Sequence, residues 1–129
     1  MFPIGTQYHR PPTPRAEYWE DDFRRMKDSG FNIVRAWAMW GWLNPRPGAY
    51  DFAELDRLCE LGSAHGIEVI LLVNLESCPG WAYRKHPEAV YVSRTGRPVL
   101  PHTVHNTCVG GFPGLCLDWD EPRRLAGEF

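Results

Sequence analysis

The chain of 129 residues lacks an excess of charge of either sign, a long apolar stretch and any closely paired cysteines. Its 14 lysines and arginines nearly cancel 16 aspartates and glutamates, leaving a formal charge of −2. No electrostatic footprint for nucleic acid or an anionic membrane surface results, so neither is expected as a partner. No apolar run approaches the ~20 residues of a membrane span. The opening MFPIGTQYHR has neither the charged nor the apolar region of a secretory signal. Cys59, Cys78, Cys108 and Cys116 are irregularly spaced and form no CxxC pair, so reduced thiols and a cytoplasmic location are expected. Cys59 falls in an apolar helical pattern and is read as buried. Internal repeats and low-complexity tracts are lacking too. The length allows one modest domain with a real core.

What the chain does have is the stretch Asn32 to Trp42, NIVRAWAMWGW. It predicts a short buried strand from Asn32 to about Trp37, running into a tryptophan-rich loop. Side chains alternate along a strand, so Ile33, Arg35 and Trp37 share one face and Val34 and Ala36 the other. The small apolar face suits helices packed outside a sheet. Arg35 needs a carboxylate, another polar partner or water, because an unpaired buried charge is costly.

The rest of the chain alternates around this strand. Residues 3–9 (PIGTQYH) predict a first strand, stopped by Arg10-Pro11-Pro12. Thr13-Pro14 reads as a capped helix start, Trp19, Phe23 and Met26 form one apolar stripe, and Gly30 ends it. Pro45, Pro47 and Gly48 make the next segment a loop. Asp51 with Glu54 resembles a capping box, followed by a buried stripe of Phe52, Leu55, Leu58 and Cys59 that stops at His65-Gly66. Ile67 to Glu76, IEVILLVNLE, is nearly unbroken apolar sequence, the pattern of a parallel strand covered on both faces. Beyond it, a short helix over 79–85, a turn at Thr95-Gly96 between short strands, and a helix from Asp120 are expected. Strand, helix, strand, helix, strand with short links implies an α/β fold with parallel strands and right-handed crossovers.

In such folds ligands gather at the carboxyl ends of the strands. Those ends are Tyr8-His9-Arg10, Trp37 to Trp42, and Asn74 to Trp81. Trp37, Trp40, Trp42 and Trp81 offer flat apolar faces with a polar edge, suited to a sugar, whose C–H patches alternate with hydroxyls; one or two of them are expected to be core fillers. Glu76, beside Asn74, is the best carboxylate for touching a ligand, though a structural ion pair is an equal reading. His102, His105 and Cys108 form H-x-x-H-x-x-C ahead of Cys116 and invite a metal reading, but the segment is loop without matching paired cysteines, and no metal is expected there.

Four stretches carry a resemblance. GTQYHRPPTP, FNIVRAWAMWGWLNPRPGAYDF, GIEVILLVNLESCPGW and GGFPGLCLD resemble, in that order, the N-terminal part of glycoside hydrolase family 42, the β-galactosidases. The most specific are W-x-x-P-x-x-G-x-Y-D-F from Trp42 to Phe52 and FPGLCLD. The resemblance implies a (β/α)8 TIM barrel, of which residues 1–129 would form about three βα units of the catalytic domain. It implies hydrolysis of terminal β-D-galactosides with retention and no obligatory organic cofactor. Retention needs two carboxylates about 5 Å apart. The family's acid/base glutamate follows an asparagine at the end of the fourth strand, and its nucleophile ends the seventh. Both are expected beyond Phe129, so the chain is expected to be a partial enzyme, inactive alone. Arg35 matches the arginine that hydrogen-bonds the sugar in relatives, and Tyr8, Trp40, Trp42, Asn74 and Glu76 complete the expected substrate-binding set. Relatives carry a glutamate where this chain has Ala38, which motivates the alternative of a retaining β-glycosidase with another sugar specificity; a non-catalytic sugar-binding remnant is a third reading. Cys116 resembles a cysteine that joins a zinc site in some relatives. A homo-oligomer remains open for the whole protein.

Overall fold

A computed structural model describes residues 2–100 and 112–129. Alternation builds its central strand: β2 (Ile33–Met39) buries Val34, Ala36 and Ala38, at 1%, 1% and 4% exposure, and leaves Arg35 exposed on the opposite face. The strand runs two residues past the expected end at Trp37, because Ala38 and Met39 continue its buried pattern. β1 (Gly5–His9) lies parallel to β2, with Gly5 opposite Ile33, Gln7 opposite Arg35, and a register slip between Gln7 and His9. β3 (Glu68–Asn74) completes the sheet in the order β1-β2-β3.

The helices are α1 (Trp19–Asp28), α2 (Trp40–Leu43), α3 (Ala53–His65), α4 (Gly80–Lys85) and α5 (Asp120–Glu128). A short antiparallel hairpin pairs β4 (Tyr91–Val92) with β5 (Pro98–Val99), as the Thr95-Gly96 turn predicts. The chain divides into two compact units, one comprising Met1–Ala38 and Asp51–Leu72, the other Met39–Tyr50 and Val73–Phe129.

In the first unit, α1 buries Trp19 and Phe23, two of the three residues of the expected stripe, and Met26 is half-buried. The helix starts later than Thr13-Pro14 predicts. Thr13 closes a turn back onto Arg10, with main-chain bonds of 2.9 and 3.0 Å and its hydroxyl donating to the Arg10 carbonyl, so it is not free to cap. Before α3 the N-cap is Phe52 rather than the expected Asp51, whose carboxylate, one residue earlier, accepts from the Ala53 N–H at 3.1 Å. The buried face follows Leu55, Leu58 and Leu61, which leaves Phe52 and Cys59 exposed, contrary to the expected stripe. A line of i, i+3, i+6 residues turns Cys59 to the solvent side. Gly66, at φ 63°, ends α3 in the left-handed conformation that glycine adopts without steric cost. Glu20 on α1 ties the helices together through Arg57 at 3.4 Å and His65 at 2.9 Å, both on α3.

β3 departs from its reading as a strand covered on both faces. It is an edge of the sheet, and Ile70, Leu71 and Val73 are 49%, 42% and 60% exposed.

The second unit has its own core of Trp40, Cys78, Ala82, Ala89, Leu115, Leu125 and Ala126. The FPGLCLD segment joins it through a Val90–Leu115 bridge and a 2.7 Å bond from the Cys116 N–H to the Ala89 carbonyl. Among the described residues no helix is long and apolar enough to cross a membrane. His102, His105 and Cys108 lie outside the described residues.

Candidate functional site

The first unit presents a polar cluster on the open face of β1 and β2. Their register sets Gln7 against Arg35, and the Arg35 guanidinium donates to the Gln7 amide oxygen at 2.6 Å. Arg35 also lies 5.8 Å from the centre of the Trp37 ring, with Arg10 at 5.3 Å from the same ring. Arg35 is therefore satisfied by an amide and an aromatic face, and among the described residues it forms no ion pair. Gly5, Gln7, Ile33, Arg35 and Ile70 line an open cavity of about 270 Å³ on this face.

Tyr8 does not join it. Alternation along β1 sets it on the face opposite Gln7, where its ring lies against α1, edge-on to Phe23 at 5.3 Å, and its hydroxyl donates to Asp22 at 2.9 Å. Burial, with the Asp22 carboxylate adding to it, holds this phenol well above its ordinary pKa. The expected sugar-binding role of Tyr8 gives way to a packing role. Ala38 shares the buried face with Val34 and Ala36, so an acid at this position would point into the core and away from Arg35. His9 is buried edge-on to Trp19 at 5.1 Å, with Nε2 3.6 Å from the Glu54 carboxylate. Neither ring nitrogen has a hydrogen-bond partner among the described residues, and burial pushes its pKa down against the opposing pull of Glu54.

The second unit holds the other expected residues. Trp40, read as a sugar platform, is 1% exposed, packs in parallel with Phe129 at 6.3 Å, and donates its indole N–H to the Asn44 side chain at 3.2 Å. It is a core residue, buried with Leu43 on the short helix α2. Asn44, overlooked in the sequence, organises the segment. Its amide donates to the carbonyls of Arg46 and Ala49, both at 2.9 Å, and its own carbonyl accepts from the Trp81 indole at 2.9 Å. Trp42 and Trp81 are half-buried.

Asn74 is half-buried and spends its side-chain oxygen on the Ser77 N–H at 2.9 Å, while the Ser77 hydroxyl donates to the Asn74 carbonyl at 3.0 Å. That small turn delivers Glu76 to the surface. Gly114, at φ 87°, presses against Glu76: a Cβ there would meet the Glu76 Cα and carbonyl oxygen at 3.2 Å. Tyr91 titrates above its ordinary range, through burial first and then the charges of Cys116, Glu76 and Asp118. The structure thus gathers Glu76 and the FPGLCLD segment, which the sequence did not bring together. The Cys116 thiol donates to Asp118 at 3.6 Å, and among the described residues no group of three or more His, Cys, Asp or Glu could hold a metal ion.

A family model described as β-galactosidase, Glyco_hydro_42, matches residues 8–111. A β-galactosidase of Clostridium cellulovorans is 37% identical over 94 residues, covering 72% of this chain and 14% of that protein. An exo-β-D-glucosaminidase of Pyrococcus horikoshii is 32% identical over 105 residues, covering 70% of this chain and 13% of that protein. The chain therefore spans about a seventh of the length of the curated relatives it matches. The crystal structure of a β-galactosidase from a psychrophilic Marinomonas aligns with a TM-score of 0.81 over 98% of this chain and 18% of that one, at 21% identity. That likeness gives the fold: parallel strands and helices making part of an α/β barrel.

Proposed function

This chain belongs to the β-galactosidase family of glycoside hydrolases, family 42, and on that premise we propose that it forms part of the substrate-binding rim of an enzyme hydrolysing terminal β-D-galactosides with retention. The match of the family model to residues 8–111 carries this reading. Arg35 orients the sugar, since its planar donors hold a fixed geometry and Gln7 fixes the guanidinium from one side. The acid/base and nucleophile glutamates are assigned to other parts of the enzyme, no organic cofactor is needed, and the 129 residues alone are proposed to be inactive. A chromogenic β-galactoside tests this with the isolated chain and with the enzyme that carries these residues. Turnover by the larger protein alone, releasing β-galactose first, is the expected result. Release of α-galactose would overturn retention, and turnover by the isolated chain would overturn the division of labour.

A second reading is a retaining β-glycosidase of another sugar specificity. It is favoured by the glucosaminidase among the relatives. A panel of chromogenic galactosides, glucosides, mannosides and glucosaminides separates the two by their kcat/KM values.

A further inference from the structure

We propose that the end of β1, from His9 through the turn to Pro14, is an acid-released latch: a proton taken up by the His9 ring frees this segment from α1 while β1 and β2 stay paired behind it. The inference goes beyond the galactosidase reading and holds whichever sugar the enzyme takes.

His9 is 1% exposed, and both of its ring nitrogens are buried without a hydrogen-bond partner among the described residues. These residues by themselves enclose the ring, so segments packed against the outside of the chain do not change what it meets. Trp19 of α1 holds the latch at two points. Its ring meets the imidazole edge-on, with centres 5.1 Å apart, and its indole N–H donates to the Pro14 carbonyl at 2.9 Å. Between those points the main chains of Arg10 and Thr13 bond each other at 2.9 and 3.0 Å, which makes residues 9–14 one piece.

This enclosure suits a neutral imidazole. A protonated one carries a charge and two N–H donors. Glu54 on α3 is the group that supports the charge, with its carboxylate 3.6 Å from Nε2. Charged groups of the neighbouring elements are engaged elsewhere: Asp22 of α1 accepts from Tyr8, Glu20 of α1 pairs with Arg57 and His65 of α3, and Arg10 lies against Trp37. On β2 the uncharged Ala36 stands opposite His9. Nδ1 therefore finds no acceptor, and a buried charge left partly unsatisfied is costly. Burial already outweighs the pull of Glu54 on this ring.

Unfolding the whole chain relieves that cost, and so does opening this segment alone; the cheaper opening dominates. His9 is the last residue of β1, and the register slip between Gln7 and His9 interrupts the ladder just before it. Opening from the slip onward breaks the two Trp19 contacts and the last pairing with Ala36, and leaves Gly5, Thr6 and Gln7 on their β2 partners. The segment sits at the carboxyl end of its strand, where α/β barrels place their ligands. Acid thus reshapes this part of the rim reversibly, without unfolding the sheet.

The test is hydrogen exchange of the 129-residue chain, followed by NMR and corrected for the intrinsic exchange rate at each pH. Below about pH 6.5 opening takes up one proton, so protection of the Trp19 indole N–H should fall by up to about tenfold per pH unit. The N–H groups of Val34 and Arg35 on β2, and the far-UV circular dichroism, should hold steady over the same range. His9→Gln should abolish the pH dependence, and Glu54→Gln should enlarge it by removing the charge that supports the protonated ring. His65→Gln, also on α3, should leave it intact. If His9→Gln does not fold, the titration of the parent's His9 ring carbons must coincide with the loss of Trp19 protection. Protection at Trp19 that is independent of pH, or that falls together with β2, overturns the inference. So does a pH dependence that survives His9→Gln, shrinks in Glu54→Gln or runs apart from the His9 titration.

Discussion

Replacing Asn44 with alanine removes three hydrogen bonds at once: one accepted from the Trp40 indole and two donated to the carbonyls of Arg46 and Ala49. Asn44 is 1% exposed, so water cannot easily take its place. Each bond contributes about 0.5–1.5 kcal/mol net, and the Trp40 N–H, left unpaired in the core, adds about 1–3 kcal/mol. Arg46 is exposed and recovers part of its loss from solvent. After that recovery the sum is about 2–6 kcal/mol, which for a chain of this length lowers Tm by roughly 6–35 °C. Asn44→Asp distinguishes the donors from the acceptor. It keeps an acceptor for Trp40 but turns a carboxylate oxygen toward two carbonyl oxygens, so at pH 7 it should cost more than alanine. Those carbonyls favour the protonated acid, raising its folded pKa. The aspartate variant therefore loses stability relative to the parent as pH rises from 4 to 7. Urea unfolding followed by tryptophan fluorescence and far-UV circular dichroism measures both. An alanine variant within 0.5 kcal/mol of the parent, or an aspartate variant steadier than alanine at pH 7, would refute the role given to Asn44.

Three further outcomes follow from the same structure. Burial lowers the His9 pKa, so the unfolded chain binds its proton first; stability present above pH ~6.5 is lost as pH falls through that value toward the lower folded pKa. His9→Gln should flatten the urea midpoint between pH 5 and 7, and an unchanged slope would count against the buried neutral ring. Thiol labelling mapped by mass spectrometry should find exposed Cys59 modified promptly, whereas Cys78, 0% exposed and with its pKa pushed up to about 12 by burial, reacts only on unfolding. Gly114→Ala should cost about 1–3 kcal/mol, because of its φ of 87° and the 3.2 Å approach to Glu76; a neutral effect in urea unfolding would contradict that packing.

Much of the architecture was legible in the sequence, because alternation and helical spacing are local and strong. The stop at Gly30 and the hairpin at Thr95-Gly96 stand where the pattern puts them, and β2 runs two residues past its expected end. The readings that failed depended on what lay elsewhere. Thr13 looked like a cap until Arg10 engaged it across two prolines. Tyr8 looked like a rim residue, yet alternation along β1 sets it on the face opposite Gln7, where α1 packs. Trp40 was drawn toward the ligand by the company of Trp37 and Trp42, although its spacing suits a core position just as well. Gln7 and Arg10 were missed as a pair with Arg35, but the parity of residues 5, 7, 33 and 35 on neighbouring parallel strands held the clue. Asn44 carries no signal of its own, since its importance comes from three groups reaching it through a loop.

The two-sided character of β2 has a consequence for how this protein can change over generations. Even-numbered positions 34, 36 and 38 answer to the helices, and any bulkier group there disturbs packing. Odd-numbered positions 35 and 37 answer to whatever occupies the open face. Substitutions at the open-face positions can therefore change what that face presents while the packing beneath the strand stays unaltered.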